Sequence, residues 1–273
     1  MEPYESKILA MIEKNKKIVV LTAENRVSLR NVPDKLNKNF IDVGISEQNL
    51  IGIGAGLAKL GFLPIMHGMS AFLTMRAFEF IRTDLGYPSL PSVLVGTFNG
   101  LSATANGTAN GPTHQAIEDI ALMRLVPHMT VVAPSDVSET LQVLDNISKL
   151  DGPLYIRDSN SGSIDIEREP FVWGKNECVI KGDNVAILSY GTILDICLKT
   201  SKKLSEKKRE LSFKFIQNLK KEGIIDYHLG IASVDEIDNL NILEATKLSM
   251  KRVVDKFNLT NAQLIIDGNF SLN

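Results

Sequence analysis

The sequence is poor in cysteine: Cys178 and Cys197 are the only two among 273 residues. They cannot build a disulfide framework, and such usage fits a reducing compartment. Long hydrophobic runs are missing as well, since none approaches the roughly 20 residues of a membrane span. The stretch from Met1 to Lys16 is charged and lacks the apolar core of a secretory signal. A cytoplasmic location without membrane attachment is therefore the expectation. Nor does charge of one sign dominate. A formal net charge of −2 exerts no general pull toward nucleic acid or anionic lipid. Internal repeats and low-complexity tracts are absent too. The composition, 44% hydrophobic and 23% charged, is that of a globular chain long enough for one large domain or two modest ones.

An amphipathic helix is predicted over 5–15, then a strand over 17–22 and a second over 39–43 that ends at Gly44. A helix follows through 50–58, whose glycines and alanines let another backbone come close. A strand over 63–66, a helix over 72–85, a buried strand over 91–97, a helix over 115–125, a strand over 129–133 and a helix over 135–149 continue the alternation. That order predicts an α/β fold, a mostly parallel sheet with helices on both faces. Residues 99–113 are rich in Gly, Asn, Thr and Ala, and a polar loop of that length is functional or disordered. Periodicity lapses over 159–177, which reads as a linker. A strand over 184–189 then leads through Gly191 into a helix. After about residue 199 the texture changes: Lys202 to Lys221 holds eight lysines and arginines with few apolar anchors, before strand-like segments at 228–234 and 263–267.

Two short motifs carry chemistry. Val43-Gly-Ile-Ser-Glu-Gln-Asn49 places Glu47 in the first turn of a helix after a glycine turn, where an acid also simply complements the helix dipole. Gly111-Pro-Thr-His-Gln115 closes the polar loop, where His114 alone reads equally as a capping loop residue. Between them stand Ser70-Ala-Phe-Leu73 and Arg76-Ala-Phe78, and after them Val132-Ala-Pro-Ser-Asp136. In that order and spacing, residues 1–158 resemble the pyrimidine-binding domain of transketolases and 1-deoxy-D-xylulose-5-phosphate synthases. Residues 178–198 resemble the start of the C-terminal domain of the same enzymes, through Gly182-Asp-Asn-Val-Ala-Ile-Leu188 and a following glycine turn.

The resemblance implies a thiamine-diphosphate enzyme that moves a two-carbon ketol unit between sugar phosphates, or a related acyloin synthesis. It assigns Glu47 to the cofactor's pyrimidine N1′, where a carboxyl group supports the tautomer able to deprotonate the thiazolium. Phe72 and Phe78 would offer the pyrimidine an aromatic face, with Arg76 beside them. Core packing at helical spacing is the alternative for both rings. His114 would polarise a sugar hydroxyl or carbonyl, and His67 is a second candidate for the substrate. Arg157, in Leu154-Tyr-Ile-Arg157, resembles the arginine that clamps a substrate phosphate, a surface ion pair being the alternative. His128 and His228 have no motif support.

Two departures stand out. An acidic residue commonly precedes Gly-Pro-Thr-His-Gln, and here Asn110 stands there; an amide hydrogen-bonds a hydroxyl but does not take its proton. The Gly-Asp-Gly run and downstream Asn that hold Mg²⁺ against the diphosphate are missing. The expectation is therefore a C-terminal subunit of a split enzyme, needing a separate diphosphate-binding subunit and forming a homodimer or heterotetramer through the pyrimidine-binding domain.

Residues 199–273 resemble something else. Ser201-Lys-Lys-Leu-Ser-Glu-Lys-Lys-Arg-Glu210, Leu229-Gly-Ile-Ala-Ser-Val-Asp-Glu-Ile-Asp238, Asn241-Ile-Leu-Glu-Ala-Thr246 and Leu264-Ile-Ile-Asp-Gly-Asn269 are similar to an internal fragment of ribonuclease HII. That enzyme holds two divalent metals on several carboxylates, and Asp267 matches one of them while the others are missing. The expectation is a truncated or chimeric second α/β region with no resident metal, no nuclease activity and no nucleic-acid partner, and a non-catalytic fusion remnant with such an inactive tail is the alternative for the chain as a whole.

Overall fold

Apolar strands separated by helical crossovers pair in parallel, and the computed structural model of this chain has one such sheet. The structure describes residues 2–25, 28–31, 33–100, 112–158, 162–181, 187–203, 206–223 and 232–256. The chain divides into two compact units, 1–199 and 200–273. In order, the first carries α1 (Pro3–Lys14), β1 (Ile18–Thr22), α2 (Pro33–Leu36), β2 (Phe40–Asp42), α3 (Glu47–Lys59), β3 (Leu63–Met69), α4 (Phe78–Phe80), β4 (Ser92–Thr97), α5 (Asp119–Arg124), β5 (Thr130–Val132), α6 (Val137–Asp145) and β6 (Pro153–Arg157). The six strands are all parallel, in the order β2-β1-β3-β4-β6-β5.

Successive strand residues feed two cores, one on each face of the sheet. On one face Ile18, Val20, Ile65, Val93, Val95, Leu154 and Ile156 meet Tyr4, Ile8 and Ile12 of α1 and Val143 and Leu144 of α6. On the other, Val19, Leu21, Met66, Leu94 and Tyr155 meet Leu50, Ile51 and Ala55 of α3 and Met123 of α5. Burial on both faces explains why the strands are continuously apolar rather than alternating. At Gly54 the helix α3 lies close against β3, and a Cβ there would strike the Met66 sulfur. By contrast, Gly52 and Gly56 on the same helix face open space.

The helix expected over 72–85 is underwound. Phe72–Arg76 and Ile81–Gly86 are π-helical, flanking α4. The core residues Leu73, Ala77, Ile81 and Leu85 recur strictly every four positions. In an α-helix each such step drifts by about 40°, which would swing Leu85 away from the core. Widening the turns keeps all four on one face, and π-type turns often accompany functional sites. β6 is a strand that periodicity leaves unassigned; Pro153, at its first position, has no N–H to lose from the ladder there.

The expected linker holds neither helix nor strand over 162–177, yet it is fastened along α6. Arg168 pairs with Asp136 at 3.0 Å and with Glu177 at 2.8 Å, and donates to Ser135 and Ser138. The Ile164 amide donates to Asp136 at 2.7 Å, and Phe171 and Trp173, edge to face with each other, pack against the core that includes α1 and α6 residues. Of the strand expected over 184–189, residues 187–189 are irregular and 184–186 lie outside the described residues. The helix after Gly191 is present as α7 (Ile193–Lys203).

The described part of the second unit consists of helices: α8 (Glu206–Lys221), α9 (Val234–Leu240) and α10 (Ile242–Val254). Of the strand expected over 228–234, residues 228–231 lie outside the described residues, while Val234 opens a helix instead. The cause is a capping box, in which Ser233 accepts from the Glu236 amide and Glu236 accepts from the Ser233 amide. Asn241, at a positive φ of 67°, caps α10 in turn. The segment 263–267, Asp267 included, lies outside the described residues. Among the described residues no helix is long and apolar enough to cross a membrane.

Candidate active site

Glu47 is the first residue of α3, placed there because the turn at Gly44, with a φ of 70°, redirects the chain from β2 into the helix. The N-terminal amides of α3 favour a negative charge at that spot. The carboxylate is almost wholly buried, with 4% of its side-chain surface exposed. Oε2 accepts from Arg76 Nη1 at 2.9 Å, and Oε1 has no partner among the described residues. Arg76 itself is 42% exposed and lies 4.3 Å from the centroid of the Phe72 ring, a cation–π contact. Phe72 in turn meets the His114 imidazole edge to face, with centroids 4.9 Å apart. His114 Nδ1 is hydrogen-bonded to Thr113 Oγ1 at 2.9 Å, within a short 3₁₀ turn over Pro112–His114.

Four of the residues singled out from the sequence therefore form one contiguous group: Glu47, Arg76, Phe72 and His114. Within the 72–86 segment, Phe72 and Arg76 belong to this group while Leu73 and Ala77 face the core. Phe78 is set apart, half-buried and packed against the core on the α3 face. The group offers an aromatic face, a partly exposed cation and, on the Glu47 side chain, a carboxylate oxygen with no donor among the described residues. That set fits a flat, polar heterocycle that stacks on a ring and donates one hydrogen bond to Glu47.

His67 is placed elsewhere. It lies fully buried in β3, its Nε2 2.8 Å from the Tyr4 hydroxyl and its Nδ1 3.4 Å from the Leu21 carbonyl. The carbonyl can only accept, so Nδ1 carries the proton and Nε2 accepts from Tyr4. Burial, opposed in part by the Leu21 and Ile65 backbone, lowers its pKa to about 4. The ring is neutral, and both nitrogens are engaged within the chain. Asn110 lies outside the described residues.

Arg157 ends β6, and its Nε donates to Asp119 Oδ2 at 2.7 Å. Asp119 is wholly buried at the start of α5, and the same Oδ2 accepts from the Tyr155 hydroxyl at 2.9 Å. Tyr155 also bonds Ser70 Oγ at 3.1 Å. Burial and the Asp119 charge push the Tyr155 phenol well above its usual pKa, so it remains a donor. Gly96 makes room for this network, because a Cβ there would lie 2.5 Å from the Tyr155 oxygen and 2.6 Å from Ser70 Oγ. Asp119 has no local motif to announce it. Period two does place Tyr155 and Arg157 on one face of β6, which points to a shared partner.

Residues 3–161 match the model of the transketolase pyrimidine-binding domain. The chain belongs to that family. It is 32% identical over 208 residues to the 6-deoxy-6-sulfo-D-fructose transketolase subunit SqwH of Clostridium sp. (strain MSTE9), covering 75% of this chain and 63% of the relative. It is 31% identical over 209 residues to a putative transketolase C-terminal section of Methanocaldococcus jannaschii, covering 74% and 65%. A 1-deoxy-D-xylulose-5-phosphate synthase of Rippkaea orientalis is 32% identical over 238 residues, covering 83% of this chain and 36% of that enzyme. The chain thus spans less than two thirds of the length of these curated relatives. Among solved structures, a split-gene transketolase described as an inactive beta4 tetramer superposes with a TM-score of 0.63 at 32% identity, covering 73% of this chain and 64% of that one. The family assignment accounts for the parallel sheet and for the order of motifs around Glu47 and His114.

Proposed function

We propose that this chain is the C-terminal subunit of a split, thiamine-diphosphate-dependent transketolase that transfers a two-carbon ketol unit between sugar phosphates. The observation that carries the proposal is the contiguous group of Glu47, Arg76, Phe72 and His114, with the Glu47 side chain 4% exposed and its Oε1 lacking a donor among the described residues. Thiamine diphosphate supplies a carbon nucleophile when bound. In this reading Glu47 holds the pyrimidine ring nitrogen through Oε1, while Arg76 fixes the carboxylate through Oε2. Phe72 gives the ring a stacking face and sets the His114 imidazole beside it. His114 hydrogen-bonds a sugar hydroxyl or carbonyl and moves a proton there, with Thr113 setting the orientation of its ring. Arg157 binds the substrate phosphate.

In this reading the diphosphate and its Mg²⁺ fall to a separate subunit, which the relatives described as a transketolase subunit and a putative transketolase C-terminal section support. The active site then lies between chains, in a homodimer or heterotetramer built on the pyrimidine-binding domain. The same two relatives support the split-transketolase reading over that of a 1-deoxy-D-xylulose-5-phosphate synthase. The second unit is, in this reading, a ribonuclease HII-like graft that takes no part in the chemistry.

Glu47→Gln tests the assignment. An amide keeps the shape and still accepts a hydrogen bond but carries no charge, so the variant should bind thiamine diphosphate within a few-fold of wild type. Turnover in the complemented complex should fall by roughly 100-fold or more. Near-full activity in Glu47→Gln would remove the carboxylate from the mechanism.

A further inference from the structure

The buried pair beneath Arg157 has a feature that stability alone does not explain. Asp119 lies wholly inside the protein, and among the described residues its Oδ1 has no hydrogen-bond partner. A buried carboxylate oxygen left without a donor is costly and uncommon. Its other oxygen accepts twice, from Tyr155 and from Arg157 Nε. The carboxylate is therefore turned so that a single oxygen serves both donors, and Tyr155 is itself held by Ser70.

The consequence falls on the guanidinium. Its side edge is occupied by the protein, with Nε on Asp119 and Nη2 3.4 Å from the Ala116 carbonyl. The terminal edge, Nη1 together with the second Nη2 hydrogen, has no partner among the described residues, and the side chain keeps 19% of its surface exposed. A guanidinium clamped along one edge presents the other as a rigid two-pronged donor, the shape that fits two oxygens of a tetrahedral oxyanion. Five-fold donor capacity is thus divided between a fixed base and an open fork.

We infer that Asp119 is a positioning residue: with Tyr155 and Ser70 it locks Arg157 in the orientation that binds the terminal oxyanion of the substrate, a phosphate or a sulfonate. The inference rests on the reading of Arg157 as the anion-binding group. Charge alone predicts the opposite of what the inference predicts, because removing the Asp119 carboxylate takes a negative charge away from the anion's neighbourhood. Neutralising Asp119 should then tighten binding if only the field mattered, and weaken it if orientation matters more.

The test uses the full chain with inorganic phosphate, and methanesulfonate in parallel, following the Arg157 Nε–H resonance by ¹⁵N-resolved NMR. In wild type the Nε–H should exchange slowly, as a buried donor to Asp119, and phosphate should shift it in a saturable way. Asp119→Asn should bind phosphate roughly tenfold more weakly, with a fast-exchanging Nε–H and a Tm within a few degrees of wild type. Tyr155→Phe keeps the charge and removes one donor to Oδ2, so it should give a smaller loss in the same direction and serves if Asp119→Asn does not fold. A stronger response to methanesulfonate than to phosphate would identify the oxyanion as a sulfonate and leave the positioning role intact. Equal or tighter phosphate binding in Asp119→Asn, or in Tyr155→Phe where that variant is the one read, overturns the positioning role while leaving Arg157 as the anion site. No saturable shift of Arg157 by either anion in wild type overturns the anion site, and the inference with it.

Discussion

Both ring nitrogens of His67 are engaged inside the chain, and this has a measurable consequence for stability. The folded protein holds the imidazole neutral, with a pKa lowered to about 4, whereas in the unfolded chain it titrates near 6.5. Between those values the unfolded state binds a proton that the folded state does not. Stability should therefore fall as pH drops from 6.5 toward 4, by up to about 3 kcal/mol from this residue alone. His67→Gln keeps a hydrogen-bonding side chain without a titrating ring. Its denaturant midpoint should be lower than wild type near neutrality and should lose less between pH 6.5 and pH 4.5. Parallel pH profiles for the two proteins would show that the buried imidazole is not the source. Glu47 and His114 were legible in the sequence because each sits in a motif with a turn residue, although neither motif alone decides between structure and chemistry. Asp119 was not legible, since its partners Ser70, Tyr155 and Arg157 come from three separate elements and meet only in the folded sheet.

Among the elements, α6 does more than cover the sheet. Asp136 caps it by accepting from the Glu139 amide at 2.9 Å, and the same carboxylate accepts from Ser138, Ile164 and Arg168. Burial alone would raise its pKa, but the two amides, the Ser138 hydroxyl and the Arg168 charge outweigh burial and hold it below the usual value. One side chain thus joins helix initiation to the strap over 162–177. Asp136→Ala should remove an N-cap worth about 1 kcal/mol and leave Arg168 partly buried with only Glu139 and Glu177 as acidic partners, a total loss on the order of 2–4 kcal/mol. Hydrogen exchange should accelerate over 162–177 and the first turn of α6 ahead of the sheet. A uniform acceleration across the chain would instead mean that the strap is not separately anchored by Asp136. Strand and helix order could be read from periodicity, because apolar runs of five or six residues bounded by turns are hard to mistake. The strict four-residue spacing of Leu73, Ala77, Ile81 and Leu85 was equally visible, but period 3.6 is the default expectation and the underwound turns passed for an ordinary helix. The strand at β6, which opens on Pro153 and ends on a charged Arg157, was not read from periodicity.

For the whole molecule, family membership covers the first part of the chain and leaves the rest to be accounted for. The described residues from 187 to 216 keep Leu188, Tyr190, Ile193, Ile196, Leu211 and Phe215 exposed, apolar surface of the kind that ordinarily belongs inside a domain or an interface. Of the expected start of a C-terminal domain, the described residues show the helix α7, with residues 187–189 irregular. Against that background the central claim concerns the first unit: it supplies Glu47, Phe72 and His114 to an active site that another subunit completes. The most direct measurement is a complementation assay of two-carbon transfer between sugar phosphates. The purified chain is assayed alone and after addition of a diphosphate-binding transketolase subunit, in each case with thiamine diphosphate and Mg²⁺. Activity should appear only in the mixture, saturate at a fixed ratio of the two chains and vanish when Glu47→Gln replaces wild type. Turnover by the isolated chain, or a mixture that is equally active with Glu47→Gln, would contradict the account.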